Sequence, residues 1–356
     1  MLNEWITVIL YQAYMRRKIC CFFIICFLMS VSLFIPTISQ KVNLKKDSVV
    51  IASFDNSLLI PPQDEYILKY SPSSQSFSKV TEPLTSSLSE KIQNAIVKVP
   101  DWLKTSLLYQ FEYLDDPFPY VDLILNSERK ITDELAFCIA HAPLGKLPEP
   151  KLLLQNVHQI YAIDDFISYA DIIEINENKS TYYSTIQYTI LSENTSVTCL
   201  LPKEIYYWYI VHPQILSETP EIIYDTFWRS YMVNHNDIGY PLLLEKIENI
   251  SFLWDEESYH QPAHRDWREC ISLHPTAIEA VSYWIGKTVP YEAAGDRPGQ
   301  PNLIAHQHNG WCGELQRIAV AGLRSVLIPS ISICNIAEDH VWRAFYHDGW
   351  HQNDNW

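Results

Sequence analysis

Glycine is scarce in this sequence, nine in 356 residues, and nowhere do the glycines gather into a loop that could cradle a nucleotide phosphate. Paired Cys-x-x-Cys and H-E-x-x-H are also missing, so structural-zinc and zinc-protease chemistry have no support. No internal repeat is visible. Positive charge is short as well: 26 Lys and Arg face 42 Asp and Glu, a formal net charge of −16. The first 50 residues hold six of the basic side chains and only two of the acidic ones, so the remainder is more acidic still. Such a surface repels nucleic acid and anionic lipid, and no nucleic-acid partner is expected.

What is present argues for a folded protein, with 47% hydrophobic and 13% aromatic residues and enough length for two domains. One long apolar run, Ile19 to Ile38, carries no charge and comes directly after Arg16, Arg17 and Lys18. About 20 residues suffice to cross a bilayer as a helix, and the basic flank orients the chain beyond it to the outside. The segment is expected to be a transmembrane anchor or a cleaved export signal, with translation starting at Met1 or at Met15. The soluble part is then membrane-anchored outside the cytoplasm, or secreted. Asn178, Asn194 and Asn249 open N-x-S/T triplets compatible with export.

The organisation expected is a cytoplasmic stub with the membrane segment over 1–40, a Ser/Pro-rich tether over 41–90, a mixed α+β domain over 91–267 and a catalytic core over 268–356. Within the mixed domain, "DELAFCIAHA" and "KLLLQNVHQIYAIDDF" have helical apolar spacing, while "STYYSTIQYTIL" and "SVTCLLP" read as a hairpin joined by "SENT". The aromatic run "IYYWYIVHP" is read as core rather than as a stacking platform.

The last domain opens on a helix in "HPTAIEAVSYWIGKTVPY", with Thr276 as cap, Ile278, Val281 and Ile285 on one face and Pro290 at its end. "HNGWCGELQRIAVAGLRSVLIP" then sets Leu315, Ile318, Ala319, Gly322, Leu323 and Val326 on one buried helical face. This puts Cys312 at the first turn, where unpaired N–H groups and the positive end of the helix dipole favour an anion such as a thiolate. Five cysteines lie beyond the apolar run, Cys138, Cys199, Cys270, Cys312 and Cys334. An odd set leaves at least one thiol unpaired in an oxidising compartment, and which of the others form bridges is open.

After a short strand in "ISICN", "AEDHVWRAFYHDGWHQNDNW" reads as a hairpin with its turn at Asp348-Gly349. A two-residue turn would oppose Asp354 to Arg343, away from His340. A three-residue loop, His347-Asp348-Gly349 with Gly349 left-handed, pairs Trp342 with Asp354, diagonally beside His340. A glycine in the third loop position favours the second arrangement. Cys312, His340 and Asp354 then form a thiol, imidazole and carboxylate set, with Asn353 and Asn355 as fallback third members.

"GWCGE", "LRSVLIP" and "DHVWRAFYHDGW" with a final Asp resemble the core of the transglutaminase-like superfamily of cysteine enzymes, over roughly the last 90 residues. The wider stretch "VPYEAAGDRPGQPN" is similar to uncharacterised archaeal-type transglutaminase-domain proteins. The resemblance implies an α+β, papain-like core with a nucleophile helix packed on an antiparallel sheet. It also implies Cys312 as nucleophile, His340 as general base and Asp354 as orienting carboxylate. Where that family often has L-R-A-x-G-I-P-A-R, this chain has "LRSVLIPSI", without the glycine and the arginine. The family sheet continues with further strands, so the core is expected to be truncated or to end on an exposed edge. Gln307 is a candidate second oxyanion donor, beside the Cys312 backbone N–H, and Trp311 is a candidate pocket wall.

The chain is thus expected to be a membrane-tethered thiol enzyme acting on amide bonds of peptides or proteins, with no metal or other cofactor, hydrolysis being favoured over crosslinking. Two alternatives stand beside this expectation. One is a catalytically silent module that binds cell-surface polymers or proteins. The other is a metal hydrolase using His306 and His308 on one strand face, with His347 or His351.

Overall fold

The computed structural model describes residues 49–50, 68–71, 76–79, 88–143, 145–176, 180–216, 218–235, 242–256, 276–288, 297–308, 310–335 and 340–353. The apolar segment Ile19–Ile38, Cys270, Pro290, Asn355 and Asp354 lie outside them. Among the described residues no helix is long and apolar enough to cross a membrane.

The chain divides into two compact units. The smaller contains β1 (Val49–Val50), β2 (Leu68–Ser71) and β3 (Ser76–Lys79), an antiparallel sheet within the stretch expected to be a tether.

The larger unit is mixed α and β. Its helical part begins with α1 (Glu90–Lys98), α2 (Asp101–Tyr113) and α3 (Phe118–Asn126), followed by α4 (Arg129–His141) and α5 (Pro150–Asp164). Every residue of α4 from Ile131 to Ala140 is buried, as befits a helix enclosed on all sides. It is packed by α2, α3, α5, the strand over Tyr182–Ser192 and the aromatic run. Two carboxylates on it, Asp133 and Glu134, are therefore interior groups, and three tyrosines together with Ser184, from distant segments, supply their hydrogen bonds.

An antiparallel sheet comes next, of β4 (Ala170–Asn176), β5 (Tyr182–Ser192) and β6 (Thr195–Leu200), with β5 central. The β5–β6 hairpin turns through Glu193 and Asn194 at φ +50° and +59°, the pair of positive angles that a two-residue turn needs to match strand twist. The aromatic run continues through the short α6 (Lys203–Tyr206) into a π-turn over Tyr207–Val211, closed by the His212 N–H on the Tyr207 carbonyl at 2.9 Å. Tyr206, Tyr207, Tyr209, Ile210 and Val211 are buried, so the run is core.

Short helices α7 (Trp228–Asn234) and α8 (Leu243–Ile247) lead to α9 (Ala277–Thr288). Thr276 and Glu279 form a reciprocal cap there, each accepting the other's backbone N–H at 3.3 and 2.8 Å. The chain ends in α10 (Pro301–Gln307), α11 (Cys312–Ser325) and a second antiparallel sheet, β7 (Ser330–Asn335), β8 (His340–Tyr346) and β9 (Trp350–Asn353), with β8 central. All six residues expected on the buried face of α11 are buried.

The far end of α11 is fixed by buried donors from elsewhere in the unit. Arg229 Nη1 donates to the Arg324 carbonyl, Tyr169 Oη to that of Val326 at 2.7 Å and Tyr188 Oη to that of Leu327. Carbonyls left over at a helix end otherwise need water or a cap. Here protein donors satisfy them, and α11 is anchored by its C-terminal end.

Candidate active site

The position of each end of α11 is set by a ladder of contacts along it. Near its C-terminal end Ser330 Oγ donates to the Val320 carbonyl at 3.4 Å, and Arg324 Nε donates to the Ser330 carbonyl at 3.0 Å. One step on, Arg343 Nη1 donates to Gln316 Oε1 at 3.1 Å, and Arg343 is the register partner of Ser332. Beyond that bond, four residues of helix extend about 6 Å and three residues of strand about 10 Å. Cys312 and His340, the first residues of α11 and β8, therefore lie at the same end of the α11–β7–β8 layer.

They are not in hydrogen-bond contact with each other. Cys312 is half-buried and unbridged. Strand alternation puts His340 with Trp342 on the face opposite Arg343, and their rings stack at 5.8 Å and 23°.

The hairpin has a three-residue loop: Tyr346 pairs with Trp350, and His347, Asp348 and Gly349 lie between. Asp348 takes the left-handed angle, φ +46°, and Gly349 comes after it at φ +136°. The residue next to solvent, rather than the glycine, thus carries the conformation expected at Gly349. The register ends, among the described residues, at Arg343 and Asn353, one position short of Asp354.

Gln307 is the last residue of α10 and is exposed; its side chain makes no hydrogen bond among the described residues. Trp311 is 60% exposed, beside the thiol. His306 and His308 sit at the end of α10 and not on a strand, with the His306 ring 4.8 Å from that of Tyr224. Among the described residues no three His, Cys, Asp or Glu side chains are grouped to hold a metal ion.

A second thiol meets an imidazole elsewhere. Cys199 Sγ is 3.8 Å from His347 Nδ1, and His347 Nε2 is 4.0 Å from Glu256 Oε1. Burial first, then Asp348 and Glu256, pushes the Cys199 thiol up, while burial first, then His351, pulls His347 down. Both displacements favour neutral thiol and neutral imidazole, so this set resists forming the thiolate that nucleophilic chemistry needs. Cys138 is buried and also pushed up, by desolvation. Cys334 is exposed on β7. Cys312 alone among the described cysteines opens a long helix.

Sequence reasoning missed two residues at this end. Glu314 accepts the Trp311 N–H at 2.9 Å, the carboxylate half of a capping box. Arg297 grips the same carboxylate through Nε at 3.0 Å and Nη2 at 2.9 Å. The Glu three places after the cap position was a readable signal; its partner 17 residues upstream was not.

No protein-family model, no curated protein and no solved structure matches this chain.

Proposed function

We propose that the protein is a thiol-dependent enzyme of the transglutaminase-like type, tethered outside the cytoplasm by Ile19–Ile38, that attacks amide bonds of peptides or proteins. The observation that carries this reading is the arrangement of α11 and β8, which start at the same end of one layer with Cys312 and His340 as their first residues. For this chemistry the imidazole, which strand alternation places on the face opposite Arg343, has to reach the thiol over the end of the sheet. The β8–β9 register reaches Arg343 and Asn353, and the reading requires the next residue, Asp354, to follow it opposite Trp342, diagonal to His340.

A further support is Leu327. It occupies the place where the resembled family often has glycine, and its φ is +62°. A left-handed angle costs a side-chain-bearing residue about 1–2 kcal/mol. The backbone keeps this angle although a leucine occupies the position, buried and with its carbonyl accepting from Tyr188 Oη.

The chemistry is acyl transfer. His340 takes the proton of Cys312, and the thiolate adds to the amide carbon, forming a C–S bond and an oxyanion facing the Cys312 backbone N–H. Collapse breaks the C–N bond as the imidazolium gives its proton to the leaving amine. Water, deprotonated by His340, then adds to the thioester carbon; the C–S bond breaks, the acid leaves, and the thiolate recovers the proton. Water is taken as the acceptor, because an amine that outcompetes it needs a binding site of its own.

The test is mass-spectrometric mapping of iodoacetamide labelling on the native protein at neutral pH, with His340→Ala beside the parent. Fast labelling of Cys312 that drops at least tenfold in the variant is the expected result. Labelling of Cys312 at the rate of an ordinary thiol would refute the enzyme and favour a silent binding module, for which the exposed Trp311 supplies an apolar contact.

A further inference from the structure

The cap of α11 contains a conflict. Glu314 holds the first turn together, yet its carboxylate lies two residues from the thiol that should become an anion, and its side chain is only 10% exposed. A like charge that close opposes the thiolate, and little solvent is there to screen it. Arg297 resolves the conflict. Its Nε lies 3.0 Å from both carboxylate oxygens and its Nη2 is 2.9 Å from Oε2. A methyl at Gly313 would touch Nη2 at 3.4 Å, so the guanidinium lies against the turn itself.

We infer that Arg297 is a positioning residue for the Cys312 chemistry: by neutralising Glu314 it lets one carboxylate cap α11 without cancelling the positive end of the helix. This deepens the thiol-enzyme reading and rests on it. A purely structural tie explains less. The same loop is already held by Arg317 Nη1 on the Gly299 carbonyl and by Gln300 Nε2 on the Thr219 carbonyl at 2.7 Å, while the Arg297 side chain is still 56% exposed.

Other charged and titratable groups on the elements around α11 are engaged or distant. Arg317 is on Gly299, Arg343 on Gln316 and Glu279 on Thr276. Arg229 and Arg324 are at the far end. His306 lies against Tyr224, which leaves, among the described residues, His308 of α10, His340 of β8 and the Cys334 thiol of β7 as the titratable groups toward the helix start.

The experiment measures the iodoacetamide rate at Cys312 against pH in the full-length protein and four variants. Arg297→Gln should raise the midpoint by about one pH unit, since a nearby charge is worth one to three. Glu314→Gln, whose amide oxygen can still cap, should lower it. Arg297→Lys should stay near the parent, and Arg297→Gln with Glu314→Gln should return toward it. Opposite movements of the two single variants cannot come from unfolding, which would drive both toward an ordinary thiol. A midpoint that stays in place, or moves the same way in both, overturns the inference while leaving a fast, His340-dependent Cys312 intact. A parent Cys312 no faster than free cysteine overturns both readings.

Discussion

Replacing Glu134 by glutamine should stabilise the protein, and by an amount that depends on pH in one direction only. Glu134 is fully buried on α4; its Oε1 accepts from Tyr161 Oη at 2.7 Å and from Tyr206 Oη at 3.0 Å. Its Oε2 and Asp133 Oδ1 are buried without a hydrogen-bond partner. Burial first, then the neighbouring Asp133, raises Glu134 well above the usual carboxylate range. The folded state thus keeps a proton that the unfolded chain has released. Between the unfolded titration and the raised folded one, stability falls by about 1.4 kcal/mol per pH unit as pH rises. Stability from this group is full below the unfolded titration and is lost toward the folded one. Glutamine keeps the oxygen that both tyrosines use and carries no charge at any pH. Urea unfolding of parent and Glu134→Gln from about pH 5 to about pH 8 should give a difference that grows in the variant's favour by about 1.4 kcal/mol per unit, then levels off. Asp164, pushed up to about 6 by burial, adds to the parent's slope, while His141, pulled down to about 3, and His212, to about 4, oppose it. Those groups are common to both proteins and drop out of the difference. A difference that is flat with pH, or that shrinks as pH rises, refutes a protonated Glu134.

Three other substitutions probe the packing. Arg229→Met should cost about 3 kcal/mol in urea unfolding, because it strands Asn156 Oδ1 and the Ile210 and Arg324 carbonyls in the core. Gly322→Ala should lose about 1–2 kcal/mol despite the roughly 1 kcal/mol that alanine gains in helix propensity, since its methyl would meet the Trp284 ring at 3.2 Å; a rise in melting temperature would show that α9 and α11 separate easily. Glu193→Gly should raise stability by about 0.5 kcal/mol in thermal melts, by relieving a left-handed glutamate at φ +50°.

Local signals read well where a short stretch decides its own structure. The apolar spacing of "DELAFCIAHA", the turn in "SENT", the Thr276 cap and the three-residue loop before Trp350 all correspond to elements found. What stayed hidden depends on distant partners. Asp133 and Glu134 look like the solvated face of a helix until Tyr161, Ser184, Tyr206 and Tyr207 converge on them. Arg229 and Arg324 give no sign in sequence that they are buried, because all but one of their acceptors are backbone carbonyls and the other is a distant asparagine. The grip of Arg297 on Glu314 is of the same kind: a capping glutamate is legible, and the cation that balances it is not.

The two ends of α11 are built differently, and that difference bears on where chemistry can occur. At the C-terminal end Arg229, Tyr169 and Tyr188 take the carbonyls of Arg324, Val326 and Leu327, all of them buried. A helix fixed there behaves as a rigid post, and its opening residue inherits the precision of the core without being enclosed by it. At the N-terminal end the chain leaves a half-buried thiol, an exposed indole at Trp311 and a half-exposed guanidinium at Arg297. Cys199 and Cys138 show the contrast, since each lies where burial keeps the thiol protonated. A nucleophile needs firm support, access to substrate and an environment that tolerates its charge. Among the described cysteines, Cys312 is the one that opens a helix fixed in the core and is still partly exposed, which is what the proposed nucleophile requires, and the inferred role of the Arg297–Glu314 pair concerns the third condition.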